Sequence, residues 1–189
     1  MSLLDIAERH AVTDRLVLSK GKKYGVKTAI MVPPVMFGNG EGPLKNTGMT
    51  LLWLADAVRK RGKWFFIGEG KHVVSTVHVR DLSNAFLLVE EVLKEGGKAS
   101  WGSKGWHYVE SREYVFVDIV TAVVKEMERK GVVNSGEIDE IGVEEARGLH
   151  PWAELLWGVT MRVSADRIRG LGWRAEKVDV LKSIPKLVG

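Results

Sequence analysis

The chain has 189 residues, of which 45% are hydrophobic and 28% charged, as in a soluble globular protein with one domain or one domain and a small subdomain. The net charge of +4 is spread among acidic residues and forms no basic stripe, which argues against a nucleic-acid partner. Because the sequence has no cysteine, no apolar run as long as a membrane span and no signal-peptide pattern, we expect a cytoplasmic protein without disulfides, thiolate metal sites or membrane contact.

Hydrophobic periodicity predicts alternating helices and strands, and therefore an α/β fold. The predicted helices cover residues 5–20, 50–61, 81–95, 115–129, 164–171 and 179–188. The predicted strands cover residues 26–32, 64–67, 73–79 and 106–109. Asp81 and Ser164 are the expected N-caps of their helices, and residues 131–150 are expected to be irregular or locally helical.

The strand predicted at residues 26–32 ends in two prolines and a glycine-containing loop. Pro33 and Pro34 lack N–H donors, so the strand cannot continue through them inside a sheet. The glycines that follow allow the backbone to pass close to a ligand or to another backbone. This arrangement is typical of the ligand crevice of an open α/β sheet, although an ordinary loop after a strand has the same pattern.

Three segments carry a resemblance to a known family. Residues 32–38 (VPPVMFG) are similar to a strand-ending R-P-x-x-[VI]-[YF]-G, residues 75–82 (STVHVRDL) to F-[IV]-H-V-x-D-[VL], and residues 171–173 (LGW) to L-G-[WY]. In this order and spacing they resemble the C-terminal half of extended short-chain dehydrogenases/reductases, the NAD(P)-dependent epimerase/dehydratase family. Each motif alone is weak, whereas the three in order are fairly specific.

The resemblance implies a partial Rossmann-like, doubly wound sheet plus a small C-terminal substrate-binding α/β subdomain. Residues 1–189 would form a single domain equivalent to that C-terminal half. Within it, residues 4–62 would be the last helix and strand units of the Rossmann part, and residues 63–189 mainly the substrate subdomain.

The sequence departs from the family at two places that matter for chemistry. The glycine-rich turn that seats the cofactor pyrophosphate is absent, and the glycines at 38, 40 and 42 are no substitute because no helix opens directly on them. The family's Tyr-x-x-x-Lys pair falls on Ile6 and His10. The isoleucine side chain has no titratable group that could transfer a proton, so ordinary reductase or epimerase activity is not expected. NAD or NADP is expected only together with a Rossmann half, and no cofactor is expected for this chain alone.

Candidate site residues follow from the aligned motifs. His10 is the catalytic candidate, since an imidazole titrates near neutral pH, with an exposed helix histidine as the alternative. The resemblance places the nicotinamide against three residues, Pro33, Pro34 and Val35. It places the substrate near five, Phe37, Gly38, Asn39, Ser75 and His78, with structural roles for His78 and Asp81 as the alternative. Glu69, His72 and His78 do not share one strand face, so no metal site is predicted.

Three functions remain open from the sequence. The chain is the substrate-binding part of an epimerase/dehydratase-like oxidoreductase, a stand-alone non-redox binding protein, isomerase or cyclase derived from one, or an interaction subunit that pairs through an open sheet edge. The expected ligand is a nucleotide sugar or another small carbonyl or hydroxyl compound. The expected protein partner is a second copy or the missing Rossmann half.

Overall fold

A computed structural model describes residues 3–43, 48–94, 100–131, 137–177 and 179–187. The helices in these ranges are α1 (Leu3–Tyr24), α2 (Met49–Arg61), α3 (Val79–Lys94), α4 (Phe116–Arg129), α5 (Val143–Leu149), α6 (Ala153–Trp157), α7 (Asp166–Gly170) and α8 (Val180–Leu187). The strands are β1 (Ile30–Val32), β2 (Val35–Phe37), β3 (Trp64–Ile67), β4 (Val73–His78), β5 (Trp106–Tyr108), β6 (Arg112–Val115) and β7 (Ile138–Ile141). A single 3₁₀ turn spans Gly102–Lys104.

The strands form three small sheets in the described part of the chain. Strand β1 pairs in parallel with β5, and β3 pairs in parallel with β7. The third sheet has the order β2-β4-β6, in which β2 is parallel and β6 antiparallel to β4. Pro33 and Pro34 separate β1 from β2, so the chain passes from one sheet to another at the two residues that cannot donate a ladder hydrogen bond.

The predicted elements agree with the structure where the pattern is long and periodic. Helices α2, α3, α4 and α8 and strands β3, β4 and β5 lie within two residues of the predicted bounds, as far as these ranges are described. The prediction of a strand over residues 26–32 was wrong at its start, because Gly102 donates its N–H to the Thr28 carbonyl and thereby draws residues 26–29 toward the 3₁₀ turn. Helix α1 continues past its predicted end and stops only before Gly25. This glycine, with φ of 67°, adopts the left-handed conformation that terminates helices.

Three strands, β2, β6 and β7, were not predicted. Each has only three or four residues and therefore too few positions for an alternating pattern. The region predicted as irregular or locally helical, residues 131–150, contains the helix α5 and also β7, and it leads into α6. These short elements form through tertiary pairing, as between Ile138 of β7 and Trp64 of β3.

Both predicted N-caps were wrong. Helix α3 begins at Val79, before Asp81, and the N–H of Arg80 donates instead to Nδ1 of His78 at 3.1 Å. The carboxylate of Asp81 is buried and accepts the backbone N–H of Lys177 at 2.8 Å, which ties the start of α3 to the C-terminal segment. The hydroxyl of Ser164 donates to the Asp166 carboxylate, and α7 has no side-chain cap.

The buried apolar side chains form two clusters. The larger one packs α2, α4, α6 and α8 against β3 and β7, with Trp64, Phe65 and Trp157 fully buried. The smaller one lies between β4, α3 and α7 and includes Trp173. The boundary predicted between the Rossmann part and the substrate subdomain lies between residues 62 and 63. The larger cluster contains residues from both sides of it, and the division at that point stays a prediction. None of the described helices combines the length and apolarity needed to cross a membrane.

Candidate functional site

A cavity of about 440 Å³ opens at the carboxyl ends of β1 and β2, where the chain passes between sheets. Five of the residues predicted from the sequence line it, namely Pro33, Pro34, Val35, Phe37 and Gly38. Its remaining lining residues are Met36, Gly40, Gly48, Met49, Thr50, Val79, Leu156 and Met161. The cavity thus lies where Pro33 and Pro34 end a strand of one sheet and a strand of another sheet begins, and its role as a ligand crevice stays a prediction.

His78 lies behind this cavity and does not line it. Its ring meets the Phe37 ring edge-on, with 5.2 Å between centroids, and its Nδ1 accepts the Arg80 N–H. Its Nε2 faces the α-carbon of Gly38, where a side chain would overlap the imidazole. Burial lowers the pKa of His78, while the neighbouring Asp81 carboxylate opposes that shift. These contacts hold the floor of the cavity in position.

Three other predicted residues lie apart from the cavity lining. The Ser75 side chain is fully buried, accepts the Val163 N–H at 3.0 Å and thereby joins β4 to the segment before α7. Asn39 is exposed, and it is not a lining residue. His10 is exposed on α1, and the side chain of Ile6 on the same helix lies outside the described part of the chain.

Two ion pairs flank the cavity. Arg80, next to the lining residue Val79, pairs with Glu41, next to the lining residue Gly40. Arg162, next to the lining residue Met161, pairs with Glu113 at 2.9 Å, and this guanidinium lowers the pKa of that carboxyl. No charged side chain is among the lining residues that the structure describes. Nor does the described part of the chain bring together three His, Asp or Glu side chains that could hold a metal ion.

Sequence reasoning missed the far wall of the cavity, which α2, α6 and Met161 supply. Met49 follows the loop after β2, so its position at the mouth could have been inferred from the helix start at Gly48. Met161 had no such signal. It reaches the site through an isolated bridge to β4, in which its N–H donates to Val73 and its carbonyl accepts the Ser75 N–H, each at 2.8 Å.

Comparison with known sequences identifies the family. The profile of the NAD dependent epimerase/dehydratase family matches residues 7–102, just over half of the chain. This chain belongs to that family. Oxidase ucsJ from Acremonium sp. is 28% identical over 172 residues, which cover 86% of this chain and 49% of the relative. The chain therefore spans about half the length of the curated relative that it matches.

Solved structures of epimerases and dehydratases have the same fold. The dTDP-glucose 4,6-dehydratase DesIV from Streptomyces venezuelae, solved with NAD and TYD, superposes with a TM-score of 0.61 at 16% identity, covering 94% of this chain and 48% of that one. The UDP-glucose 4-epimerase of Thermus thermophilus, solved with NAD, gives 0.60 at 17% identity, covering 94% and 50%. The L-threonine dehydrogenase of Phytophthora infestans gives 0.60 at 12% identity, covering 94% and 52%.

These comparisons confirm the resemblance and the α/β, Rossmann-like fold that it implied. The family is one of NAD-dependent epimerase/dehydratase-like oxidoreductases, and the solved structures with the same fold include complexes with NAD and with NADPH. At these identities the structural likeness carries the fold alone.

Proposed function

We propose that this chain is the substrate-binding part of an NAD(P)-dependent oxidoreductase of the epimerase/dehydratase family and that it transfers no hydride by itself. Its substrate is a nucleotide sugar or another small carbonyl or hydroxyl compound. The observation that carries this proposal is the cavity at Pro33–Gly38, which lies at the strand ends and has no titratable side chain among its described lining residues. Such a cavity can bind and orient a substrate, whereas proton transfer requires an acid or base within hydrogen-bond reach.

The chain has residues that fit the nicotinamide end of the dinucleotide cofactor, but it lacks the motif that would hold the pyrophosphate. Pro33, Pro34 and Val35 line the cavity and would contact the nicotinamide ring, whose role is to accept or donate a hydride. The sequence contains no G-x-G-x-x-G or G-x-x-G-x-x-G segment to seat the pyrophosphate. We therefore assign the pyrophosphate site to a second polypeptide segment. His10 stays a candidate proton carrier for the completed site.

The partner that we propose is a Rossmann half that adds a strand to β1. Within the described residues β1 pairs with β5 alone, so its other edge presents unpaired backbone groups. Among its described side chains, α1 exposes the large hydrophobic residues Val12, Leu16, Val17 and Tyr24. All-parallel sheets normally have both faces covered, and a two-stranded one is small for an independent sheet. A second copy of the chain is the alternative occupant of this edge.

The lack of cysteine supports placement in the cytoplasm.

The test is a titration of NADH and NADPH into the purified chain, followed by tryptophan fluorescence, with light scattering on the same sample. We expect no micromolar binding by the chain alone. Co-expression with the amino-terminal half of oxidase ucsJ should give a heterodimer that binds NADH in the micromolar range, and His10→Gln then tests the proton carrier through its pH–rate profile. Micromolar binding by the isolated chain, or no binding by the heterodimer, would contradict the proposal.

A further inference from the structure

A second cavity lies at the opposite end of the β1–β5 sheet from Pro33. Thr28 precedes the amino end of β1, the 3₁₀ turn at Gly102–Lys104 precedes that of β5, and the Gly102 N–H donates to the Thr28 carbonyl at 2.9 Å. The end of α1 packs against this junction, because a side chain on Gly21 would overlap that of Thr28. These segments line a cavity of about 700 Å³, the volume of a site for a small organic molecule.

The described lining of this second cavity is cationic. Its charged members are Arg15 and Lys22 of α1 and Lys27 of the following loop, and all three are exposed. None of them forms an ion pair within the described part of the chain, whereas Arg61 and Arg80 elsewhere do. Basic residues in the last turn of a helix normally stabilise its carbonyl end. That role accounts for Lys22, but not for Arg15 two turns earlier or for Lys27 beyond the helix.

Helical spacing places the α1 members of the lining on one face of the helix. Arg15, Leu18, Ser19 and Lys22 stand at positions i, i+3, i+4 and i+7. The two cationic residues are therefore about 11 Å apart along the helix axis. Because arginine and lysine side chains are long and flexible, both head groups can reach one anion that lies between them.

Hydroxyl groups and one aromatic ring complete the lining. The hydroxyls of Thr28 and Ser103 make no hydrogen bond with the described residues, so both can donate to a ligand. Trp101 is half-buried, with one part packed against the smaller hydrophobic cluster and another part lining the cavity. An indole ring in this position can stack against a flat ring of a ligand.

We propose that this cavity binds an organic phosphate, with its terminal phosphate group between the three cations and a flat ring, such as a nucleotide base, against Trp101. Phosphate oxygens accept charge-assisted hydrogen bonds from arginine and lysine. The carbonyl end of α1 carries about −0.5 of an elementary charge, which three full positive charges outweigh. The site is distinct from the cavity at Pro33–Gly38, because the two lie at opposite ends of β1.

The test is a titration of ADP into the 189-residue chain at low ionic strength, followed by calorimetry and tryptophan fluorescence. We expect a dissociation constant of about 0.1 mM, and about tenfold weaker binding by Lys22→Gln because a charge-assisted hydrogen bond is lost. Arg15→Gln provides an independent second variant. The matched control is Lys23→Gln, which removes an equal charge from the same helix turn. The Lys23 ammonium lies 5.2 Å from the centroid of the Tyr24 ring, and the residue does not line the cavity.

Pyrophosphate is the second probe and separates the phosphate contact from the ring contact. We expect it to bind about tenfold more weakly than ADP, and Trp101→Leu should abolish that difference. Equal effects of Lys22→Gln and Lys23→Gln would overturn the site, because only the general charge of the chain would then attract ADP. No heat of binding at millimolar ADP would also overturn it, and pyrophosphate binding as tight as that of ADP would contradict the ring contact.

The titrations of NADH and NADPH are repeated with Lys22→Gln. A dinucleotide held at this second cavity is thereby distinguished from one held at Pro33–Gly38, since only the former is released by the substitution.

Discussion

The imidazole of His78 occupies the space in which any residue other than glycine at position 38 would place its side chain. Gly38 also has φ of 86°, a conformation that residues with side chains rarely adopt. Two independent constraints therefore fix glycine at the cavity floor, one from the backbone and one from the ring behind it. The pair joins the end of β2 to the start of α3.

Gly38→Ala should lower the free energy of unfolding by about 3 kcal/mol, the sum of the left-handed strain and of overpacking against His78. Gly25→Ala is the matched control. Gly25 has a similar φ of 67° with no atom near the added carbon, so only the strain of about 1 to 2 kcal/mol is expected. Urea denaturation measures both. If His78→Ala does not reduce the loss caused by Gly38→Ala, the overlap between the two residues is not its source.

Asp81→Ala should destabilise the fold by about 1 to 3 kcal/mol, because the backbone N–H of Lys177 loses its charged acceptor. The control is Asp118→Ala, which removes an acidic residue from the first turn of α4, where the side chain is exposed. Both changes remove an acidic residue from the first turn of a helix, so the difference in urea midpoint reports the burial of Asp81 together with its hydrogen bond to Lys177. Equal urea midpoints for the two variants would show that this hydrogen bond makes no net contribution to stability.

Arg61 joins three elements at the end of α2. Its guanidinium contacts Asp139 of β7 and Glu145 of α5, each at 2.8 Å, with 17% of its side chain exposed. Arg61→Met should lower the stability by about 1 to 3 kcal/mol, because both carboxylates lose this partner. Arg59→Met, which breaks an exposed pair with Asp56 within α2, should leave the thermal midpoint unchanged. A similar shift in both variants would contradict a linking role for Arg61.

The stability of the chain should fall as the pH drops below about 6.5, the ordinary pKa of histidine. Burial lowers the pKa of His72, so the unfolded chain binds a proton more readily than the folded chain does. The stabilisation from the neutral ring is complete above the unfolded pKa and is lost below it. His72→Phe should reduce this loss of stability and keep the ring contact with Phe116. The centroids of the His72 and Phe116 rings lie 4.7 Å apart.

Urea denaturation of wild type and His72→Phe at pH 7.5 and 5.5 gives the measurement. The variant also removes a buried Nε2 that has no hydrogen-bond partner among the described residues, so its stability at pH 7.5 should rise by up to about 1 kcal/mol. His10→Gln, on the exposed side of α1, serves as the control. A variant that loses as much stability as wild type on acidification would exclude His72 as a source.

Long amphipathic segments could be predicted from the sequence because their own residues decide their structure. Helix α4 buries Ile119, Val120, Val123, Val124 and Met127 at helical spacing, and its predicted bounds were correct to within one residue. Strand β7 could not be predicted, because Ile138 and Ile141 enclose two acidic residues, and the strand forms through pairing with β3. Pairing energies between distant segments leave no local pattern.

The residues of the candidate site likewise fall into those that the sequence could predict and those that it could not. Pro33, Pro34, Val35, Phe37 and Gly38 could be predicted because the proline stop and the family motif lie in one continuous segment. Met161 could not, since a single bridge to β4 brings it to the cavity from more than 120 positions further along the chain. The roles of His78 and Ser75 depend on which neighbours approach them, and only the three-dimensional packing supplies that information.

The two prolines between β1 and β2 also limit how the cavity can respond to a ligand. Their pyrrolidine rings fix φ at about −65°, so two of the backbone torsions that could rotate one sheet against the other are fixed where the sheets meet. A ligand that enters at Pro33 and Pro34 therefore meets a rigid wall. We expect adjustment to its shape to come mainly from the side chains opposite, above all the methionines.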